Sequence, residues 1–412
     1  MVGPVQACRS CGGSLTVTMA DLGMQPASNA FLSSAAAAAD EQRFPLRAKV
    51  CDVCRLVQID HDVPPQVLFD DYVYFSSYSD EWLQHARRYC EMAQQRFCLS
   101  ASSLVVELAS NDGYLLKNFV AANIPVLGID PSDTVAAAAA KIGVPTLVEF
   151  FGLNVAERLA RRAQADLIIG NNVLAHVPML NDFVAGVARL LKPTGYVTME
   201  FPHLLELLEH VEFDTIYHEH YSYFSLYAIE QVFERQGLRI YDVETLPTHG
   251  GSLRIFAAHA QRTDLGASPA LFEVRAREQA AGLSELSTYR RFANRVDECR
   301  TSLRNFLAEA KRASKMVAGY GAAAKGNTLL NFCQVTPDDV AMVADRNPNK
   351  QSKLLPGTHI PVVSPQVLMQ AKPDYVLILP WNLQREIREQ LREVAQWGGR
   401  FVTPVPLTRV DP

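Results

Sequence analysis

The chain has 412 residues, 48% hydrophobic and 20% charged. These are the proportions of a globular protein with about three folding units at roughly 150 residues each, and they exclude a disordered or fibrous chain. Lys+Arg 39 against Asp+Glu 44 gives a net charge of -5, which leaves no global basic field for nonspecific nucleic-acid binding.

No apolar run is long enough to span a bilayer, and the opening MVGPVQACRSCGG lacks the charged start and apolar stretch of a secretory signal. The expected compartment is the cytosol, with neither membrane nor nucleic acid as a partner.

Cys8-x-x-Cys11 and Cys51-x-x-Cys54 are two short pairs separated by 39 residues. Two residues between paired cysteines let both sulfurs point at one ion, and two such pairs complete a tetrahedral thiolate site. Gly12 and Gly13 follow the first pair, where a tight turn needs a flexible backbone. Four sulfur ligands leave no position for water, so the expected zinc is structural. It would supply folding energy to the unit over 1–70, because the stretch between the pairs is polar at its start, then alanine-rich from Ser33 to Ala39, and looks too sparse to build a core alone. The alternative is two redox or unrelated CxxC pairs. Cys90, Cys98, Cys299 and Cys333 show no such pairing and are expected to be buried small hydrophobes.

The second unit, expected over 71–260, begins in DDYVYFSSYSDEW (Asp70 to Trp82). Tyr72, Tyr74 and Tyr78 suit either a lid over a ligand or an aromatic seam between units. From Leu104 strands and helices alternate. Strands are expected at Leu104 to Leu108, Ile124 to Asp130, Thr146 to Phe150, Asp166 to Asn171, Gly195 to Phe201, Leu238 to Val243 and Ser252 to Ala258. Helices fall near Gly113, at Thr134 to Ile142, at Asp182 to Leu191, and at Leu226 to Gln236 with Ser225 as N-cap and Gly237 as stop. Run-like strands alternating with helices predict an α/β doubly wound, mostly parallel sheet.

Ligands of such sheets sit beyond the carboxyl ends of the strands. Glu107, Ser110, Asn111, Asp112 and Gly113 follow the first strand, Asp130 ends the second, and Asn171 and Asn172 end the fourth. Asp130 lies 17 residues beyond Gly113, which suits capture of a ribose diol. The turn E-L-A-S-N-D-G nevertheless lacks the triple glycine of a dinucleotide fingerprint. One glycine with acidic and amide neighbours suits a cofactor that has no pyrophosphate and carries a cationic amino acid portion, as S-adenosylmethionine does. The alternative is a set of merely polar caps.

FDTIYHEHYSYFS (Phe213 to Ser225) falls over the same face. It is too polar for an interior and too aromatic for a plain loop. An extended conformation would put Tyr217, Glu219 and Tyr221 on one face, with His218 and His220 on the other. His176, after the strand carrying Asn171, is a second ionisable group there. A metal site from His218 and His220, or a structural hydrogen-bonded loop, are the competing readings. His249, in THGGSLR, heads a strand behind glycines that permit either close approach to a ligand or a hairpin turn.

The third unit, 261–412, is expected to start with helices over Ala270 to Ser314. A strand at Lys315 to Tyr320 then runs into GYGAAAKGNTLLNF, where Gly319, Gly321 and Ala324 fit G-x-G-x-x-A and Asp345 ends the next strand. With further strands at Met342 to Asp345, Tyr375 to Pro380 and Arg400 to Pro404, this is a second Rossmann-like layer. Candidate ligand contacts are Gly321, Lys325, Asn327, Arg346, Trp381 and Asn382. Alone, the fingerprint predicts an NAD-dependent oxidoreductase. A non-catalytic zinc-containing binding protein, with this layer used for packing or dimerisation, is the third reading.

ELASNDG, GIDPS and IIGNNVLAHV resemble the cofactor segments of class I S-adenosylmethionine methyltransferases. The order of CxxC pairs, this unit, FDTIYHEHYSYFS and GYGAAAKGN resembles, over nearly the whole chain, the sugar C-methyltransferases that act on nucleotide-linked 4-keto-deoxysugars. The resemblance implies a zinc-bearing amino-terminal module, a methyltransferase domain, and a carboxyl-terminal domain that helps hold a TDP-linked ketosugar in deoxysugar and antibiotic biosynthesis. It implies methylation at carbon three, which can bear an amine. Such a reaction needs a carbon nucleophile, and deprotonation beside a ketone makes one, given a base near neutral pKa and donors for the oxyanion. The resemblance maps the base onto His220, with Tyr217 as proton donor or oxyanion ligand and Glu219 as an orienting or charge-tuning partner. His176 stands second in line as the base.

Overall fold

The computed structural model describes residues 3–33, 41–64, 77 and 80–411. Tyr72, Tyr74 and Tyr78 lie outside the described residues.

The amino-terminal part is β-structure. Strands β1 (Gly3–Pro4), β2 (Val17–Pro26), β3 (Arg43–Val50), β4 (Val57–Ile59) and β5 (His61–Asp62) pair antiparallel, β1 with β5 and β2 with β3 with β4. The stretch between the cysteine pairs, expected to be too sparse to build a core alone, shares one with a distant helix. Met19, Leu46, Ala48, Val50 and Ile59 are buried. They share one core with Tyr289, Phe292 and Leu303 of a long helix further down the chain. The module has apolar residues enough, but it buries them against partners distant in sequence.

Helix α1 (Asp80–Arg96) leads into the central layer: β6 (Val105–Leu108), α2 (Leu116–Ala121), β7 (Val126–Ile129), α3 (Asp133–Lys141), β8 (Thr146–Leu147), α4 (Leu153–Ala160), β9 (Ala165–Asn171), α5 (Leu180–Leu190), β10 (Leu191–Pro202), α6 (Leu204–His210), β11 (Ser222–Tyr223), α7 (Leu226–Glu234), β12 (Leu238–Leu246) and β13 (Ser252–His259). Seven of these strands form one sheet, ordered β12-β13-β10-β9-β6-β7-β8. Only β13 runs against the others. The doubly wound expectation holds, with α1, α4 and α6 as helices that the sequence patterning did not mark. Ser225 caps α7 as expected, its Oγ accepting the Ala228 N–H at 3.1 Å.

Alternation along the strands sorts the core. Val106, Leu108 and Ile168 face a cluster that includes Cys8, Cys51, Cys54 and Leu56. Val105, Leu167 and Ile169 face Ala86, Tyr89 and Ala93 of α1. The cysteine knuckles are therefore packed into the core of the central sheet. Of the four unpaired cysteines, Cys90, Cys299 and Cys333 are buried, but Cys98 is exposed. It ends the turn after α1 with a left-handed φ of 50° and so points its thiol outward.

Beyond α8 (Pro269–Ala280), helix α9 (Leu286–Arg312) buries Tyr289, Phe292, Val296, Cys299, Leu303 and Leu307. Spacings of three and four place them on one stripe. The last layer comprises β14 (Val317–Tyr320), α10 (Ala324–Phe332), β15 (Val343–Ala344), β16 (Val362–Val363), α11 (Pro365–Ala371), β17 (Tyr375–Ile378), α12 (Gln384–Gln390), β18 (Arg400–Thr403) and β19 (Arg409–Val410). Its sheet runs β16-β15-β14-β17-β18-β19, parallel except for β19. This is the expected Rossmann-like layer.

Candidate active site

The four cysteines converge. Cys8 and Cys54 have sulfurs 3.5 Å apart, Cys11 and Cys51 3.4 Å apart, and all four lie within 4.8 Å of one another. Those separations are too long for disulfides and match the edges of a tetrahedron around zinc. Backbone N–H groups of Ser10, Gly13, Val53 and Cys54 point at the sulfurs from 3.4 Å, as thiolates require. Gly12 holds a φ of 73°, which a side chain would strain. Pairing across the two motifs overturns the reading of separate redox pairs.

At the carboxyl end of β6 the loop A-S-N-D-G doubles back, with left-handed φ at Ala109, Asn111 and Gly113. Glu107 is 1% exposed, and its charged neighbours Asp130 and Asp112 are both acidic. Burial, then those two carboxylates, holds its carboxyl well above the ordinary range. Glu107 Oε2, Ser110 Oγ, Asp112 Oδ1, both polar atoms of the Asn171 side chain and Asn172 Oδ1 are buried without a partner among the described residues. Orphaned buried polar atoms converging on one strand end mark the place of a missing ligand. The acidic surplus asks for a cationic ligand, and the amino group and sulfonium of S-adenosylmethionine fit it.

Asp130 ends β7 as expected. Its carboxylate accepts the Asn111 and Ser132 N–H groups at 3.0 Å each, leaving lone pairs toward the pocket. The carboxyl-terminal layer repeats the device, for Asp345 accepts the Ala322 and Asn347 N–H groups at 2.7 and 2.8 Å. The Ser77 N–H reaches Asp112 Oδ2, in the loop after β6, at 3.3 Å.

The segment Phe213 to Ser225 is not extended. Residues 213–215 form a single 3-10 turn, and the chain turns again at 217–220, with His220 N–H donating to Tyr217 O at 2.9 Å. This correction brings together what the strand reading separated. The Tyr217 hydroxyl donates to His220 Nε2 at 2.8 Å, while His220 Nδ1–H donates to the Thr215 carbonyl at 2.9 Å. The His176 ring meets His220 edge-on, 4.7 Å between centres. Tyr221 N–H donates to Ala175 O at 2.6 Å, tying the two histidine loops together. Burial lowers His176 to about 4, and burial, then His176, lowers His220 well below its usual value. Both rings are neutral bases at working pH.

His218 points elsewhere, donating to the Pro45 carbonyl at 3.3 Å against Phe44. The two-histidine metal reading fails on this geometry. Among the described residues the four cysteines alone cluster as metal ligands. Glu219 also turns away from His220. Its carboxylate accepts the Asn29 side chain at 2.7 Å, and burial lifts it to about 7, against the pull of Asn29 and Lys350.

Several residues that sequence reasoning did not single out form a cluster around His249. Trp82 stacks on His85 at 4.9 Å, lies 6.1 Å from the Tyr114 ring and meets His249 edge-on at 5.4 Å. Glu200, at the end of β10, accepts from His85 at 2.9 Å, Arg254 at 2.7 Å and Thr248 at 3.0 Å. An acid closing a buried apolar strand was the available signal. In the third layer Lys325 donates to Asn382 at 2.7 Å and lies 4.3 Å above the Trp381 ring. Gly321 packs against Pro380, and Asn327 is buried with its Nδ2 unpartnered among the described residues. Arg346 follows Asp345 at the strand end, near Tyr320.

Three family models match in succession: a zinc binding domain over 8–69, a methyltransferase domain over 81–243, and a C-methyltransferase C-terminal domain over 247–406. C-methyltransferase NovU from Streptomyces niveus is 38% identical over 411 residues, 100% of this chain and 98% of its own. The chain belongs to the S-adenosylmethionine-dependent C-methyltransferases.

Solved structures overlap it more loosely. Magnesium protoporphyrin IX methyltransferase from Synechocystis PCC 6803 with bound SAM aligns at 15% identity and a TM-score of 0.34, over 43% of this chain and 79% of its own. The PH0226 protein from Pyrococcus horikoshii OT3 aligns at 17% identity and 0.38, over 48% and 96%. The assignment rests on the full-length relative, and it displaces both the oxidoreductase and the non-catalytic readings. In this C-methyltransferase the four clustered cysteines fall within the zinc binding domain. No helix among the described residues is long and apolar enough to cross a membrane.

Proposed function

We propose that this C-methyltransferase acts on carbon three of a TDP-linked 4-keto-deoxysugar, a 3-amino sugar included, with His220 as the base. The observation that carries the reading is the state of that ring: Nδ1–H is committed to Thr215 O, so Nε2 presents a lone pair to Tyr217. The cofactor supplies an electrophilic methyl on a sulfonium. His220 Nε2 takes the proton from the carbon beside the carbonyl, the C–H electron pair becomes the enolate C=C bond, and the carbonyl π pair moves to the ketone oxygen. The Tyr217 hydroxyl, released from Nε2, donates to that developing oxyanion. The oxyanion pair returns to the carbonyl as the enolate carbon takes the methyl, the S–CH3 bond breaking to leave S-adenosylhomocysteine, and His220 returns its proton to solvent. His176 keeps a neutral ring against His220, and Glu219 braces the turn through Asn29.

We further assign the division of labour to 1–70 for zinc, 71–260 for the cofactor and chemistry, and 261–412 for the nucleotide. Gly321, Asn327 and Arg346 would line the nucleotide side. The unpartnered Asn327 amide supports this part of the reading.

Deuterium exchange tests the base. With a TDP-linked 4-keto-6-deoxysugar in D2O and no methyl donor, the enzyme should label carbon three and His220→Asn should not. Retained exchange in the mutant moves the base role to His176. Label at carbon five would instead put the reaction on the other flank of the same carbonyl.

A further inference from the structure

His220 offers a lone pair at Nε2 only while its ring proton stays on Nδ1, and the group that keeps it there is the Thr215 carbonyl, 2.9 Å away. Thr215 closes the turn Phe213–Thr215. Both preceding side chains of that turn are anchored in the carboxyl-terminal layer. Phe213 meets Phe332 of α10 edge-on at 5.3 Å. Asp214, 0% exposed, accepts the indole N–H of Trp381 at 2.8 Å. Trp381 is itself held: the Lys325 ammonium lies 4.3 Å over its ring and is fixed by Asn382 at 2.7 Å. Lys325 also supplies the countercharge that the buried Asp214 needs.

We propose that Trp381 and Asp214 are positioning residues for the base, their hydrogen bond fixing the 213–215 turn so that Thr215 holds the His220 proton on Nδ1. The proposal rests on His220 being the base. Lys325, Trp381 and Asn382, read from sequence as ligand contacts, thereby acquire a second task. The layer assigned to the nucleotide is joined to the proton-transfer atom through one indole, one carboxylate and one peptide carbonyl. A nucleotide seated on that layer presses on the same turn that sets the tautomer.

The test uses the full-length, zinc-loaded enzyme. Trp381→Phe keeps the ring beside Lys325 and removes only the N–H. Asp214→Ala removes the acceptor, and Asp214→Asn restores an oxygen that can accept. Two quantities are read: the His220 tautomer by long-range proton–nitrogen NMR, and the rate and KM of solvent deuterium exchange into TDP-4-keto-6-deoxyglucose across pH. Trp381→Phe and Asp214→Ala should mix the tautomers and slow exchange about 10- to 100-fold, the range expected when a catalytic group loses its alignment. KM should change little, and Asp214→Asn should recover most of the loss.

An unchanged tautomer in Trp381→Phe, with exchange either unchanged or altered only in KM, overturns the proposal and leaves Trp381 a plain ligand contact. A mixed tautomer with undiminished exchange upholds the positioning and overturns His220 as the base.

Discussion

Replacing Cys51 with serine tests how far the zinc knuckle reaches into the catalytic segment. Cys51 is fully buried, 3.4 Å from Cys11, and its sulfur accepts the Val53 and Cys54 N–H groups. Binding of a structural zinc is worth about 10–16 kcal/mol, so one ligand's quarter share is roughly 3–4 kcal/mol. That is a large fraction of the ~5–15 kcal/mol by which a domain is stable. The loss does not stay local. Asn181, at the start of α5, donates to Ser10 O at 2.8 Å, and Arg9 reaches the Pro178 carbonyl at 3.2 Å while paired with Asp62. These contacts brace the loop that carries His176. On the other side β4 pairs with β11, Gln58 opposite Ser222 and Val57 opposite Tyr223, directly after His220.

At roughly 2 °C or more per kcal/mol, Cys51→Ser should lower Tm by about 6–10 °C. It should also speed amide exchange at 57–59 and 222–223, and slow catalysis more than it weakens S-adenosylhomocysteine binding measured calorimetrically. Zinc loss with full amide protection at Ser222 and Tyr223 would refute the coupling.

Two further predictions concern pH. Because burial, then His176, holds His220 well below its usual value, the acid limb of deuterium exchange should lie below the ordinary imidazole value of about 6.5. A pH–rate profile with an acid limb near 6.5 would show the base to be more solvated than this geometry allows. Glu219, lifted to about 7 by burial, binds its proton more tightly folded than unfolded. Stability is therefore lost as pH rises from the unfolded value of about 4.3 toward 7, by on the order of 4 kcal/mol at most. Glu219→Gln should flatten that slope in denaturant melts across the same window, and an unchanged slope would place the carboxyl in water.

Local pattern carried a large share of the fold. The buried runs VVEL and ADLIIGN made a parallel sheet readable, since strands covered on both faces need no polar alternation. Two-residue spacing within each cysteine pair, and acids and amides gathered at strand ends, made the cysteine cluster and the buried polar strand ends readable for the same kind of reason. Each is a short-range consequence of backbone geometry. The 217–220 turn was not readable, because H-E-H-Y alternates like a strand until Thr215 and Tyr217 offer His220 better partners.

Contacts between distant segments were also out of reach. Ser222 and Tyr223 complete a sheet begun near residue 17, Glu219 finds Asn29, and Asp214 finds Trp381. Such pairings satisfy buried polar groups whose partners no spacing announces. The amino-acid order thus determined which elements form and which chemistry gathers at their ends. The packing of three layers alone decided which ring nitrogen carries the proton, because burial leaves each of those atoms a single partner.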